Sequence, residues 1–258
     1  DMGVSLETVR LIISTHTHCD HIGGNRIIQE RSDCDIALHK IGKYFVDTRD
    51  DWSTWWRYFS QEADFFDCTR ALDDGEVIAV GPHEFQVIHT PGHASDGMVL
   101  YNRKAKVLIS GDALWEDDVP VITMRVEGSS CLFDLWESLE KIESLDVEAV
   151  YPGHGKPFAD FGGAVSRSKR KASDFLNHKE KTGDALLKKI TIYTILMHRQ
   201  VDEESFFDYL MATYWFKETV ALFFDGEYRR KYEEVMGEFL RRGIVRSKNA
   251  KFVTTVKP

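Results

Sequence analysis

A chain of 258 residues with 43% hydrophobic and 29% charged side chains has a globular composition and is long enough for one large core or two modest ones. Its net charge of −9 is unevenly placed: residues 1 to 162 carry 14 Lys and Arg against 29 Asp and Glu (−15), and residues 163 to 258 carry 19 against 13 (+6). No apolar run approaches membrane-spanning length and the opening DMGVSLETVR lacks a basic stretch followed by an apolar one, so a cytoplasmic protein without a membrane partner is expected.

In chain order, VRLIIST (9–15), EVIAV (76–80), EFQVIHT (84–90), GMVLY (97–101) and the apolar run of AKVLISGDALW (105–115) read as short strands bounded by turn residues. Between the first two, WSTWWRYFSQEADFF (52–66) places Trp52, Trp55, Trp56 and Phe59 on one face if it is helical. That stripe reads as an amphipathic helix packed on the body, or alternatively as an aromatic wall over a site. LFDLWESLEKIESL (132–145) has helical spacing, and VEAVYPGHG (147–155) runs from a strand into a loop. Beyond 162 the pattern changes to amphipathic helices over 164–181, 185–199, 202–214 and roughly 227–241, followed by a hairpin in GIVRSKNAKFVTTV that turns at Lys-Asn-Ala. Two domains are therefore expected, 1–162 and 163–258, the second helical and winged-helix-like. Its basic balance can attract polyanions, but the charges sit mostly in mixed-sign helices, and Lys169, Arg170 and Lys171 read as a helix surface. The four cysteines, Cys19, Cys34, Cys68 and Cys131, are widely spaced, which indicates neither a disulfide framework nor a cysteine zinc finger.

THTHCDHIGG (15–24) concentrates His16, His18, Asp20 and His21 where the first strand ends. Extended backbone repeats every second residue, so His16 and His18 can aim both imidazoles to one side, with Asp20 and His21 turning toward a neighbouring position. Imidazole and carboxylate together suit zinc, iron or manganese, and open coordination positions make such a metal catalytic. Three further apolar runs end in a glycine followed by a ligand-type residue: His93 after Gly92, Asp112 after Gly111 and His154 after Gly153. Glycine there lets the backbone turn sharply and approach closely.

In this order, H-T-H-C-D-H, T-P-G-H, S-G-D and P-G-H-G resemble the metallo-β-lactamase superfamily, nearest its glyoxalase II-like branch, over about 16 to 155. The resemblance implies an α+β fold, an αββα sandwich, with a two-metal centre. By position, His16, His18 and His93 resemble the ligands of a first metal, Asp20, His21 and His154 those of a second, and Asp112 the bridging carboxylate. The implied cofactors are two divalent ions, zinc foremost, with iron and manganese as alternatives. FLNHKEK and the helices and hairpin after it are similar to the winged-helix tail of a subgroup that includes endoribonucleases and thioesterase-like hydrolases. Family members place further strands ahead of the first motif, where only fifteen residues stand here. The first sheet is thus expected to lack its opening strands, the chain being a fragment or being completed by a second chain or a homodimer.

Two divalent ions can hold and activate a bridging water; Asp112 would fix their spacing and Asp20 could orient the nucleophile. Cys19 is expected to pack among the ligands rather than to react. Met124 and Arg125 in VITMRVEG are candidates to line the cleft, Arg125 as an anion contact. Asp96 and Ser110 either orient ligand imidazoles or cap turns, His89 and Ser95 flank the T-P-G-H turn, and His39, His83, His178 and His198 are not expected to be ligands. The expected activity is hydrolysis of a small ester or thioester. The alternatives are an endoribonuclease or phosphodiesterase acting on single-stranded RNA, and a winged-helix nucleic-acid binder with a structural first half. An iron-dependent oxygenase reuses the first-site histidines, but the complete second set argues for two metals.

Overall fold

Short β-branched runs build two sheets, and the period of two decides which core each side chain enters. In the computed structural model the described residues are 3, 5–61 and 63–256; Glu62, inside the aromatic stretch, and Asp1, Met2, Val4, Lys257 and Pro258 lie outside them. The chain passes through β1 (Leu11–Ile13), α1 (Cys19–Ile22), α2 (Asn25–Ser32), β2 (Asp35–His39), α3 (Lys40–Asp47), α4 (Trp56–Phe59) and β3 (Arg70–Leu72). These three strands form a parallel sheet in the order β1-β2-β3, with Leu11 opposite Asp35 and Ala37 opposite Arg70. Ile36 and Leu38 enter a core with Ile22, Cys34, Val46, Trp56 and Phe66, while Ala37 between them points the other way. Strand β2 is buried on both faces, which is why it reads as a continuous apolar run.

The second sheet is β4 (Val77–Val80), β5 (His83–His89), β6 (Met98–Asn102) and β7 (Val107–Gly111), antiparallel in that order. The short helix α5 (Met124–Glu127) and α6 (Cys131–Glu143) then carry the chain to β8 (Ala149–Pro152), parallel to β7. Ile78, Val87, Met98 and Leu100 meet Ala37 and Leu72, closing the space between the sheets. Helix α6 buries Leu132, Leu135, Leu139 and Ile142 at helical spacing, and is tied to the end of β5 by Ser138 Oγ donating to Pro91 O (2.7 Å) and Lys141 Nζ donating to His89 O (3.0 Å). Gly92 admits this approach: its φ is 133°, and a Cβ there would stand 2.6 Å from the backbone of Leu135. Helix, sheet, sheet and helix make the expected αββα sandwich, with β1 at the edge of a first sheet of three strands among the described residues.

Two of the expected helices are broken. The one over 164–181 is parted at His178, whose φ of −138° and ψ of 77° are not helical: α7 (Phe161–Asn177) ends there, and α8 (Lys179–Met197) joins the last residues of that range to most of the helix expected over 185–199. The chain divides into two compact units, residues 1–57 with 61–176 and residues 58–60 with 177–258. The compositional break at 162 thus marks the start of α7, whereas the packing break falls at its end. Charge counts miss this because the basic run of α7 faces acidic partners of its own unit: Lys169 pairs with Glu143 (2.8 Å) and lies over the Trp136 ring, and Lys171 pairs with Asp118. Nor is 52–66 one helix, since Trp55 (φ 69°) and Ser60 (φ 54°) adopt left-handed backbone and leave only the four residues of α4.

The second unit continues through β9 (Val201–Asp202), α9 (Phe206–Ala212), α10 (Tyr214–Phe223), α11 (Tyr228–Arg241), β10 (Val245–Lys248) and β11 (Lys251–Thr254). The helix expected over 202–214 stops at Thr213, which is extended (ψ 149°) and caps α10. β10 and β11 form a hairpin through Asn249 and Ala250, both with positive φ (54° and 57°), the handedness a two-residue turn requires. β11 also pairs with β9, giving a three-stranded antiparallel sheet beside a core of Phe206, Trp215, Val235 and Phe239. No helix among the described residues is long and apolar enough to cross a membrane.

Candidate metal centre

β5 and β7 each run antiparallel to β6, and β7 runs parallel to β8, so the three strands that precede His93, Asp112 and His154 end on one rim. β1 delivers the fourth segment to the same rim, held there by Met98 N donating to Thr15 O (2.9 Å). His18 is extended (φ −66°, ψ 146°) and starts α1, so His16 and His18 project from extended chain, while Asp20 and His21 ride on the first helical turn. Thr17, between the two histidines, is buried and points away toward Asp96. Gly153 is obligatory, because a Cβ there would stand 2.3 Å from Asp112 Oδ1 and 2.7 Å from His21 Cε1.

All seven expected residues come together. Their ligand atoms form three overlapping groups, His16 with His18 and His93, His16 with His21 and Asp112, and Asp20 with His21 and His154, each within 4.8 Å. Asp112 Oδ2 lies 3.4 Å from His21 Nε2, 3.4 Å from His93 Nε2 and 3.5 Å from His154 Nε2, and Asp20 Oδ2 lies 3.2 Å from His154 Nε2. Burial, with neighbouring imidazoles, holds His16 well below the ordinary histidine range; burial likewise takes His18 to about 3 and His93 to about 4. Burial pushes Asp20 up, but the His154 hydrogen bond and the charges of His21 and His18 outweigh it and leave Asp20 at about 2. Asp112 is held below the usual carboxylate range in the same way, by His21, His93 and His154 acting against burial.

Neutral imidazoles and ionised carboxylates are the protonation states that bind a divalent cation. The hydrogen bonds behind the ring point to the same chemistry. His93 Nδ1 lies 2.7 Å from Val121 O and His18 Nε2 lies 3.2 Å from Glu127 Oε1, so each ring spends its N–H outward. The remaining nitrogens, His18 Nδ1 and His93 Nε2, face each other at 2.9 Å with lone pairs, and His16 Nε2 and His21 Nε2 are buried without hydrogen-bond partners. Four inward imidazole nitrogens short of a donor fit a cation.

The wider expectations fare unevenly. From the aromatic stretch, Trp55 stacks on the cluster, parallel to His18 at 3.5 Å and edge-on to His93 at 5.0 Å, while Trp56 packs in the core with Phe65. Trp55 holds its left-handed backbone at a cost of about 1–3 kcal/mol, offset by that stack and by Nε1 donating to Glu127 Oε1 (2.8 Å). Ser110 donates to Leu114 O (2.8 Å) and so closes a turn rather than orienting a ligand. Cys19 is buried against Gln61, and burial, with the charge of Asp20, pushes its thiol up to about 12, as befits a packed side chain. Arg125 is exposed on α5 and Met124 half-buried. His39 stacks on His89 at 4.2 Å away from the cluster, His198 bonds Tyr209, and His83 and His178 are exposed. Sequence reasoning overlooked Glu127 and Trp115, whose Nε1 donates to Asp112 Oδ1 (3.1 Å). Glu127 stands 109 positions from His18, and only the fold joins them.

The chain is similar to known proteins. A profile of the metallo-beta-lactamase superfamily matches residues 1–154. Acyl-coenzyme A thioesterase MBLAC2 of Gallus gallus is 27% identical over 182 residues, covering 65% of this chain and 62% of its own length. Hydroxyacylglutathione hydrolase of Rhodospirillum rubrum is 29% identical over 148 residues, 57% of this chain and 48% of its own. The chain spans about half to three fifths of the length of the curated relatives it matches. A metallo-beta-lactamase family protein from Thermus thermophilus shares the fold at a TM-score of 0.59 and 19% identity, covering 98% of this chain and 82% of that one. With the motifs, the sandwich and the profile in agreement, the chain belongs to the metallo-beta-lactamase superfamily.

Proposed function

We propose that this chain is the catalytic part of a dinuclear metallohydrolase acting on thioesters. The observation that carries the reading is Asp112 Oδ2, one carboxylate oxygen within 3.5 Å of His21, His93 and His154, shared between a triad of His16, His18 and His93 and a set of Asp20, His21 and His154. A pair of divalent ions, zinc foremost and iron or manganese as alternatives for the same donors, supplies when bound an activated water and a polarised substrate oxygen. Asp112 keeps the two donor sets in register. Asp20, ionised and 27% exposed, is placed to accept a hydrogen bond from the attacking water and so orient it. Trp55 covers His18 and offers an apolar ring beside the reacting centre, and the Cys19 thiol takes no part. A thioester substrate is further supported by relatives named as an acyl-coenzyme A thioesterase and a hydroxyacylglutathione hydrolase. Metal analysis of the purified protein, followed by a panel of coenzyme A and glutathione thioesters, lactones, phosphodiesters and RNA, tests it. Two metal equivalents and chelator-sensitive thioester cleavage are expected; no bound metal, or no thioester turned over, would overturn it.

We also read the second unit as a winged-helix-like module, supported by its helices, the β10-β11 hairpin and the pairing of β9 onto β11. Several of its basic side chains are paired within the unit: Lys231 with Asp184 (2.7 Å), Lys188 with Asp184 and Glu238, and Arg242 with Glu238. This favours a packing role over phosphate contact. Chelator-sensitive cleavage of single-stranded RNA, lost in Asp112→Asn, would replace the thioester reading with the nuclease one.

A further inference from the structure

We propose that Glu127 is the positioning residue of the first metal position: its buried carboxylate fixes which nitrogen of His18 faces the metal and clamps Trp55 over that histidine as a rigid wall. The inference rests on the two-metal reading above.

The carboxylate, its side chain 2% exposed, receives three donors from three separate segments. His18 Nε2 lies 3.2 Å from Oε1, Trp55 Nε1 donates to Oε1 at 2.8 Å, and the Ser95 backbone N–H donates to Oε2 at 2.7 Å. An imidazole that gives its Nε2 proton to a carboxylate keeps its lone pair on Nδ1, the nitrogen turned toward His93. The same oxygen that sets this tautomer holds the indole, so Trp55 and His18 are stacked at 3.5 Å and 20° by a common partner rather than by ring contact alone. Ser95 brings in the loop that follows His93, so that two of the three first-position histidines are braced by one residue. Trp55 adopts left-handed backbone (φ 69°), a conformation that persists only where surrounding contacts over-determine it, as these do. The aromatic wall is therefore a fixed part of the metal site and not a mobile lid.

The test is a metal titration of the whole chain as wild type, E127Q, E127A and W55F, with Zn(II) measured by chelator competition and Co(II) by quenching of tryptophan emission. Wild type is expected to bind two equivalents, with a quench that W55F reduces because Trp55 stands against a ligand, Trp115 beside Asp112 and His154 supplying part of the remainder. E127A removes the carboxylate that these three donors share, and is expected to lose about 10–100-fold in affinity at one equivalent while the other is unchanged, with the Trp55 quench reduced. E127Q keeps the shape and one acceptor oxygen but sets an NH2 group against a donor. It is expected to fall between wild type and E127A, and it decides the matter if E127A does not fold. Wild type binding no metal would overturn the two-metal reading and this inference with it. Wild type binding two equivalents, with folded E127Q or E127A matching its affinity and its quench, would overturn the role of Glu127 alone.

Discussion

The two halves of the candidate metal centre, three imidazoles in one and two imidazoles with a carboxylate in the other, differ in their exposure. The first position is closed: His16 is 2% exposed, and the side chains of His18 and His93 are 1% and 7% exposed. The second is open, with Asp20 at 27% and His154 at 45%. Hydrogen bonds brace His18 and His93 from behind, through Glu127 and Val121, whereas His154 faces the carboxylates of the cluster and the edge of the Trp115 ring. A closed set of donors is built into the core and is held by the fold itself. An open one faces the substrate and solvent, and leaves room for coordination to change during a reaction.

The largest expected effect falls on the residue the two halves share. Asp112→Asn removes the bridging charge, and thioester turnover should drop by about 10³-fold, the several kcal/mol that metal-centred charge stabilisation supplies. Metal analysis of the same sample should find fewer than two equivalents; full occupancy with near-normal turnover would break the shared-carboxylate view.

The two halves separate next in a pair of variants. His93→Ala strands the Val121 carbonyl and empties a buried position, so the metal-free protein should lose about 1–3 kcal/mol of stability by denaturant unfolding. His154→Ala, at a half-exposed loop, should stay within about 0.5 kcal/mol of wild type yet retain only one bound metal. Equal destabilisation by both would erase the distinction.

Proton competition sharpens the contrast. The Asp20 hydrogen bond raises His154 above its ordinary value against the effect of burial, so as pH falls His154 takes up a proton early and a metal ion must displace it. His16, His18 and His93 are depressed and stay neutral to lower pH, with His18 reaching about 3 and His93 about 4. Lowering the pH from about 7.5 to about 5.5 should therefore release the second equivalent before the first, ordinary histidine titrating between. Equilibrium dialysis at stepped pH reads the order directly, and simultaneous release would count against it.

The smallest effect is expected from Trp115→Phe, which removes one N–H donated to Asp112 Oδ1 and should lower turnover about tenfold with both metals retained. A change in stoichiometry would mean that the indole holds the site together rather than tuning it.

Much of the site is legible in the linear chain, and the reason is visible in particular residues. His16, His18, Asp20 and His21 sit in one six-residue window, and His93, Asp112 and His154 each follow a glycine closing an apolar run, so local backbone geometry announces them. Strands β4 to β8 follow from alternation and turn residues. Strand β2 is harder to see because DIALH is five residues long and buried on both faces, without alternation to mark it. The aromatic run from Trp52 to Phe66 misleads because helical spacing is present while the left-handed residues Trp55 and Ser60 interrupt the helix. At Trp55 that conformation is held by contacts with distant residues, the His18 ring and Glu127, which no local pattern announces.

By itself, the sequence determined the candidate ligands, the strands that carry them and the family, since these depend on side-chain type and on periods of two and 3.6 residues along the chain. Only the tertiary structure decided that Glu127, Trp55 and Ser95 converge behind His18, that α7 packs with the first unit, and that one candidate donor set is closed and the other open. Burial and hydrogen-bond partnership arise between segments far apart in the chain, and no local pattern records which distant group will fill a given space.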